Sequence, residues 1–439
     1  MFQTLINGFK QKDIRKKLLI IIAILLVYRV GCWIPIPGLN IDPESGILSG
    51  MSGGSFLTLL SAVSGGALAN GSLLALGVVP YISASIIMQL LTVAIPALER
   101  LSRSGEDGRK KIAFYTRIAA LIFSVVQAIA IVVALNGNGV IKSNIFGAGM
   151  EWLMPTIIVF VLVAGGMFTL WLGEKITDQG IGNGVSLLIF VGIVASAGTT
   201  LLSLIKGAAD ISVLWDIIIF IAIMLVIFGA IVFVDLAERK IPVQYAKQVK
   251  GRKMYGGQST VIPMKVNSNG VLPIIFATAL VTFPQLIFQM FWPDTGFYIW
   301  WSTYVGTGTV LYFLFNAVFI FFFSYFYAQI TFNPEEVSRN LQQSGGFIPG
   351  IRAGRPTMDY LKKINNRITF FGALYLTVIF IIPTLIFSIL GLGIGSADSN
   401  TMLSAFSVTG MLIVVSVALE FDKQLDAQML MKNYRGFLK

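Results

Sequence analysis

The chain has 439 residues, 56% hydrophobic and only 12% charged, with a formal net charge of +11. Soluble globular proteins carry about 25% charged residues, so this is the composition of a polytopic membrane protein. With no histidine and one cysteine, Cys32, the chain is excluded from histidine acid–base chemistry, from His or multi-Cys metal sites and from any intrachain disulfide.

No GxxxxGK[ST] loop occurs, so no P-loop nucleotide site is indicated and no cofactor is expected. The first 17 residues are basic and mildly amphipathic, with Phe2, Leu5, Ile6 and Phe9 to one side, and read as a surface-lying cytoplasmic segment. Lys10 to Lys17 and the apolar run behind them imitate a secretory signal. No small-residue cleavage site follows, and Trp33-Ile34-Pro35-Ile36-Pro37-Gly38 closes the run with a rigid turn, so it reads as a retained first span.

The stretch from Leu48 to Thr92 breaks the pattern of a membrane segment. Phe56 to Val63 is apolar but eight residues long, about 12 Å as a helix, against about 30 Å of hydrocarbon. Gly50, Gly53, Gly54, Gly65, Gly66, Gly71 and Gly77 surround it and loosen the backbone. Non-helical backbone at membrane depth persists only where protein buries it or where it lines an aqueous cavity. A re-entrant packing loop would satisfy this, as would a small mobile helix in the mouth of such a passage; the second is the expectation.

By apolar run length ten spans are predicted, near Leu18–Ile34, Leu73–Ala94, Ile112–Leu135, Leu153–Leu172, Val185–Ile205, Val213–Val234, Val271–Phe291, Val310–Ile330, Ile368–Leu390 and Met402–Phe421. Positive charge gathers before the first span, after the second, sixth and eighth, and in the tail 422–439, while the alternate loops carry almost none. By the positive-inside rule both termini are cytoplasmic. Five spans (18–205) followed by five (213–421) give the second half the opposite orientation, the arithmetic of an inverted repeat.

Two cytoplasmic loops, 235–270 and 331–367, are long enough to be functional. In the first, Val243–Val249 and Met254–Val261 flank the basic turn Lys250-Gly251-Arg252-Lys253 and read as a β-ribbon. In the second, Ser344 to Pro356 is too rich in Gly and Pro for helix and presents Arg352 and Arg355 on an ordered turn. Such loops suit a docking platform for an acidic or RNA-bearing partner, as well as attraction to anionic lipid.

Within the spans, Arg29 is the one deep charge and is expected to snorkel outward. Ser85, Gln89 and Thr92 form a polar stripe on the second span, with Gln127 and Gln285 as possible partners. Val78 and Ile82 form an i, i+4 aliphatic pair, either simple core or part of a hydrophobic constriction. Gly180-Ile181-Gly182-Asn183-Gly184 follows no strand, so a dinucleotide fingerprint is rejected.

Pro35-Ile36-Pro37-Gly38, Ser64-Gly65-Gly66-Ala67, Pro80-Tyr81-Ile82-Ser83-Ala84-Ser85-Ile86-Ile87, Trp171-Leu172-Gly173-Glu174, Gly180 to Gly184, Phe332-Asn333-Pro334 and Pro349-Gly350-Ile351-Arg352 all resemble the bacterial SecY family. The resemblance runs in order from the first span to the last. It implies an all-α polytopic fold of ten transmembrane helices, in two inverted five-helix halves around an hourglass pore. It implies a plug helix near 56–70, with Phe56, Leu57, Leu60, Ser64, Gly65, Gly66 and Asn70 among its residues. A pore ring falls on Val78, Ile82, Ile189, Ile275 and Ile413, and a lateral gate on Ser83, Gln89, Gln127, Asn267 and Phe283. Arg252, Lys253, Arg352 and Arg355 fall where the family meets SecA or the ribosome. SecE, SecG, SecA, the ribosome and preprotein signal sequences are the implied partners, and a passive channel in the bacterial plasma membrane is the implied role, with ATP hydrolysis left to SecA. The alternatives are an inverted-repeat secondary transporter, which would need a midplane substrate pocket and coupling carboxylates, and a membrane scaffold, which gives no use for a glycine-rich half-span.

Overall fold

The computed structural model describes residues 2–39, 61, 64–137, 140–141, 152–207, 211–245, 248–250, 253–255, 259–267, 270–291, 295–306, 309–389 and 408–437. Each of the ten apolar runs overlaps a helix among them. By length and composition, four of the helices can cross a membrane, and a bent pair adds a fifth. The described residues divide into two compact units, one of Met1–Ile217, Thr282–Thr309 and Leu392–Lys439, the other of Ile218–Val281 and Val310–Gly391.

The first unit opens with α1 (Phe2–Lys10) and α2 (Lys12–Gly31). It continues with α3 (Val79–Ala94), α4 (Pro96–Arg103), α5 (Glu106–Gly137), α6 (Leu153–Asp178) and α7 (Gly184–Gly207). Helix α8 (Ile211–Leu236) leads into the second unit. Helices α3 and α5, α5 and α6, and α6 and α7 pack as sequential neighbours, while α2 lies against α6 and α7. Their shared core includes Leu68, Leu76, Ile131, Leu135, Ile158 and Leu162.

The predicted span 73–94 is only partly helical. Residues 64–78 run as turns, and helix begins at Val79, with Pro80 in the first turn, where its missing N–H is harmless. Gly65, Gly66, Gly71 and Gly77 all have positive φ, a conformation that L-residues avoid. At the other end the chain breaks at Pro96, and α3 and α4 meet at 105°. Proline supplies no N–H for a continuing helix and disfavours helical backbone in Ile95.

Several helices outrun their apolar runs. Helix α5 starts at Glu106, its Glu106 and Asp107 stabilised at the positive helix N-terminus. The last helix, α14 (Val408–Phe437), continues through most of the segment expected as a tail. It packs on α7 and on α1.

In the second unit the two long loops fold together, which departs from a purely helical class. Strand β1 (Glu238–Tyr245) pairs antiparallel with β4 (Ser259–Lys265) and, along its other edge, with β5 (Gly346–Phe347) of the second loop. Between β1 and β4 a tip hairpin joins β2 (Gln248–Lys250) to β3 (Lys253–Tyr255). The expected ribbon thus exists, and its base strands reach back to Glu238 and on to Lys265. Helix α9 (Leu272–Phe291) follows the sheet, and α10 (Gly296–Tyr304) belongs to the first unit. Then come α11 (Val310–Thr331), α12 (Pro334–Gln343) and α13 (Arg355–Ile389). Within this unit α13 packs against α11 and α12.

Candidate functional site

The turn segment 64–78 is a built element. The Ile36 N–H donates to the Gly71 carbonyl at 2.8 Å, the Leu73 N–H donates to the Ile34 carbonyl at 2.9 Å, and Pro35 bridges Ser72. The Ile34–Pro37 turn therefore serves as a template strand for the glycine-rich segment. Ser72 turns inward, its hydroxyl donating to the Ala67 carbonyl at 2.9 Å. On the other side Gly165 of α6 lets the Leu73 carbonyl approach so closely that an added Cβ would sit 1.9 Å from it.

Helix α2 aims three side chains at the start of this segment. Tyr28 Oη donates to the Ser64 carbonyl at 3.4 Å, Cys32 Sγ lies 3.9 Å from the same oxygen, and Arg29 Nη1 donates to the Gly65 carbonyl at 3.2 Å. Arg29 is thus half-buried against backbone, in place of the outward snorkelling expected. A guanidinium at membrane depth is stable when it binds carbonyl oxygen. The sequence signal was its isolation as the one deep charge.

Of the plug residues, Phe56, Leu57 and Leu60 lie outside the described residues. Ser64, Gly65, Gly66 and Asn70 lie on turns and not on the helix expected there, because Gly65 and Gly66 take positive φ; Ser64 and Gly65 are buried, Gly66 is half-buried and Asn70 is exposed. The ring residues Val78, Ile189 and Ile413 are buried, and Ile82 is half-buried. Val78 caps α3, its carbonyl accepting from the Ile82 N–H at 3.1 Å, so the two form the expected i, i+4 pair. Ile189 and Ile413 stand on the packed helices α7 and α14. Ile275 is half-buried on α9, in the second unit.

The gate residues have varied local roles. Ser83 donates to the Val79 carbonyl, and Gln89 donates to Ser85 Oγ at 3.3 Å within the predicted stripe. Gln127 is buried on α5, with Oε1 lacking a partner among the described residues. Asn267 is buried and donates to Asp235 Oδ1 at 2.8 Å, tying the end of β4 to the end of α8. The Phe283 side chain lies outside the described residues.

The two long loops carry thirteen lysines and arginines against five acidic residues. Ile241, Val243, Met264, Leu341, Ile348 and Leu361 form a hydrophobic core beneath them. Arg352 and Arg355 are exposed. Gly350 and Gly354, at φ +84° and +97°, turn the chain on either side of Arg352. The turn is fixed by Ser338 Oγ donating to the Gly354 carbonyl and Thr357 Oγ1 to the Arg352 carbonyl, both at 2.7 Å. Asn333 caps α12, its Oδ1 accepting from the N–H groups of Glu335 and Glu336. Lys253 begins β3, and Arg252 lies outside the described residues.

Two further sets of contacts escaped the sequence reading. Arg117 and Glu174 form an ion pair of 2.6 Å between α5 and α6. On α14, Gln424 accepts from the Gly182 N–H at 2.6 Å and Gln428 donates to the Gly180 carbonyl. The glycine-rich turn is therefore a clamp site for the last helix, with Asn183 capping α7 through Val185 and Ser186. Glutamines 242 and 248 residues away in sequence give no periodic signal.

A sequence model of the SecY family matches residues 72–421. Protein translocase subunit SecY of Mycobacterium tuberculosis strain H37Rv is 40% identical, and that of Streptomyces scabiei 42%, each over 100% of both chains. Among solved structures, one titled "The structure of a protein conducting channel" superposes with a TM-score of 0.64 at 20% identity, covering 94% of this chain and 92% of the other. Sec61 in the canine ribosome-channel complex gives 0.58 at 18% identity over 94% and 92%. At such identities the superpositions show the shared fold, while the full-length relatives establish the lineage. This chain belongs to the SecY family.

Proposed function

We propose that the chain is the channel subunit of a bacterial Sec translocase, passing unfolded preproteins across the plasma membrane and releasing apolar segments sideways into it. The observation that carries this reading is the packed, non-helical segment 64–78 leading into the aliphatic pair Val78 and Ile82. It stands in a chain whose full-length relatives are named protein translocase subunits. Ten spans in two inverted halves would enclose an hourglass pore with a plug near 56–70. A ring of Val78, Ile82, Ile189, Ile275 and Ile413 could mould around an extended polypeptide while offering ions no substitute for their hydration shell. A signal sequence would leave water through a seam bearing Ser83, Gln89, Gln127, Asn267 and Phe283.

The two basic loops, with Lys253 on β3, Arg352 on its fixed turn, Arg355 at the start of α13 and Arg252 next to Lys253 in sequence, support docking of SecA or a ribosome on the cytoplasmic side. SecE and SecG are the expected small subunits. Reconstitution tests the reading. Proteoliposomes holding the purified complex, supplied with SecA and ATP, are expected to protect an added preprotein from external protease. Failure of protection, with SecA bound and hydrolysing ATP, would count against it.

A further inference from the structure

The first residues of the turn segment are held from one side by a single helical face. Tyr28 and Arg29 in the last turn of α2, with its cap residue Cys32, all reach the consecutive carbonyls of Ser64 and Gly65. The same short stretch is closed on itself, because Gly66 N–H and Ser64 Oγ both donate to the Ser61 carbonyl, at 2.8 and 3.2 Å. Behind it stands Gly192 of α7, whose Cα would lie 2.8 Å from a Cβ added at Gly65, with Arg29 Nη1 at 2.6 Å. Gly65 is thus enclosed between a cation and another helix backbone, at a φ of +71° that suits glycine.

We infer that Arg29 is a positioning residue, a cationic clamp that fixes Ser64–Gly66 and so sets where the chain enters Val78. The physical basis is an asymmetry. A backbone carbonyl released from the clamp could find other donors, whereas a half-buried guanidinium without an acceptor is strongly disfavoured. The clamp therefore opposes displacement of the segment more than a neutral hydrogen bond would, yet it uses a single bond that can re-form. Insofar as it regulates opening of a seal, the inference rests on the channel reading.

The test is amide hydrogen exchange across residues 64–78 in the purified complex, paired with ion leak through proteoliposomes. In R29Q, exchange at 64–78 is expected to rise at least tenfold, with α6 and the sheet of the second unit unchanged, and leak to rise with it. In R29K, which keeps a cation of similar reach, exchange should return to within a few-fold of wild type. R29M, which keeps side-chain length but neither charge nor donor, should show the same rise, and it decides the matter if R29Q does not fold. Unchanged exchange in a folded R29Q, or in R29M when that variant stands alone, overturns the clamp. So does acceleration spread evenly through α2 and α6, or failure of R29K to restore protection. Faster exchange confined to 64–78 without leak supports the clamp and rejects the seal, so the two claims fail separately.

Discussion

Gly165→Ala places a single methyl group where the structure leaves no room. Its Cβ would meet the Leu73 carbonyl oxygen at 1.9 Å and the carbonyl carbon at 2.9 Å. Reaching an ordinary carbon–oxygen contact of about 3.3 Å needs a separation of about 1.4 Å. Neither side yields easily: Gly165 is inside a continuous helix, and Leu73 is bonded to Ile34 at 2.9 Å. Overpacking typically costs about 1–3 kcal/mol, and contact between two backbones argues for the upper end. About 3 kcal/mol corresponds to roughly a hundredfold increase in transient opening of the 64–78 segment, at about 1.4 kcal/mol per tenfold. Cys32 is a native reporter, since it is the chain's one cysteine, is buried, and lies against Ser64. Its maleimide-labelling rate under native conditions should rise by up to that factor, because a buried thiol reacts through local opening. A folded variant whose Cys32 labels within twofold of wild type would refute the packing argument.

Other consequences lie in the second unit. Leu361→Ala empties a fully buried position under the sheet. It should cost about 2–5 kcal/mol of local stability, read as faster tryptic cutting within Gln248–Tyr255. Asn333→Ala removes the cap of α12, worth about 0.5–2 kcal/mol, and should speed amide exchange at Glu335 and Glu336 while leaving β1 and β4 protected. Arg352→Glu reverses an exposed charge on a fixed turn; SecA-dependent export should stop while membrane insertion of the subunit continues, and normal export would remove the assigned role.

What the sequence made legible follows from which forces are local. Apolar run length placed every long helix, because the membrane requirement acts on consecutive residues. Helix ends were less legible: α5 and α13 extend well beyond their apolar runs through charged stretches that hydropathy does not register, such as Glu106 to Lys111 and Lys362 to Arg367. Glycine density marked this stretch as broken, but a helix was expected to reach Asn70 and a span to start at Leu73, and both expectations overran the turns at 64–78. Pairing of β1 with β5 across about a hundred residues had no local signature, and neither did the bonds from Gln424 and Gln428 to the 180–182 turn. Arg29 shows the useful kind of miss, in which an ionisable residue within a span announced a partner without saying which. Among ring positions, only Val78 and Ile82 share a helix start and a visible spacing; Ile189, Ile275 and Ile413 came from family resemblance.

The account stands or falls on whether an extended polypeptide passes Ile82. A photo-crosslinking amino acid at position 82, in the complete complex engaged with a preprotein stalled midway by a folded C-terminal domain, gives that directly. The expected result is a crosslink to the mature region of the stalled chain that disappears when the signal sequence is removed. Export proceeding normally, with no crosslink from position 82 or from the same probe at 275, would contradict a conduit through this ring.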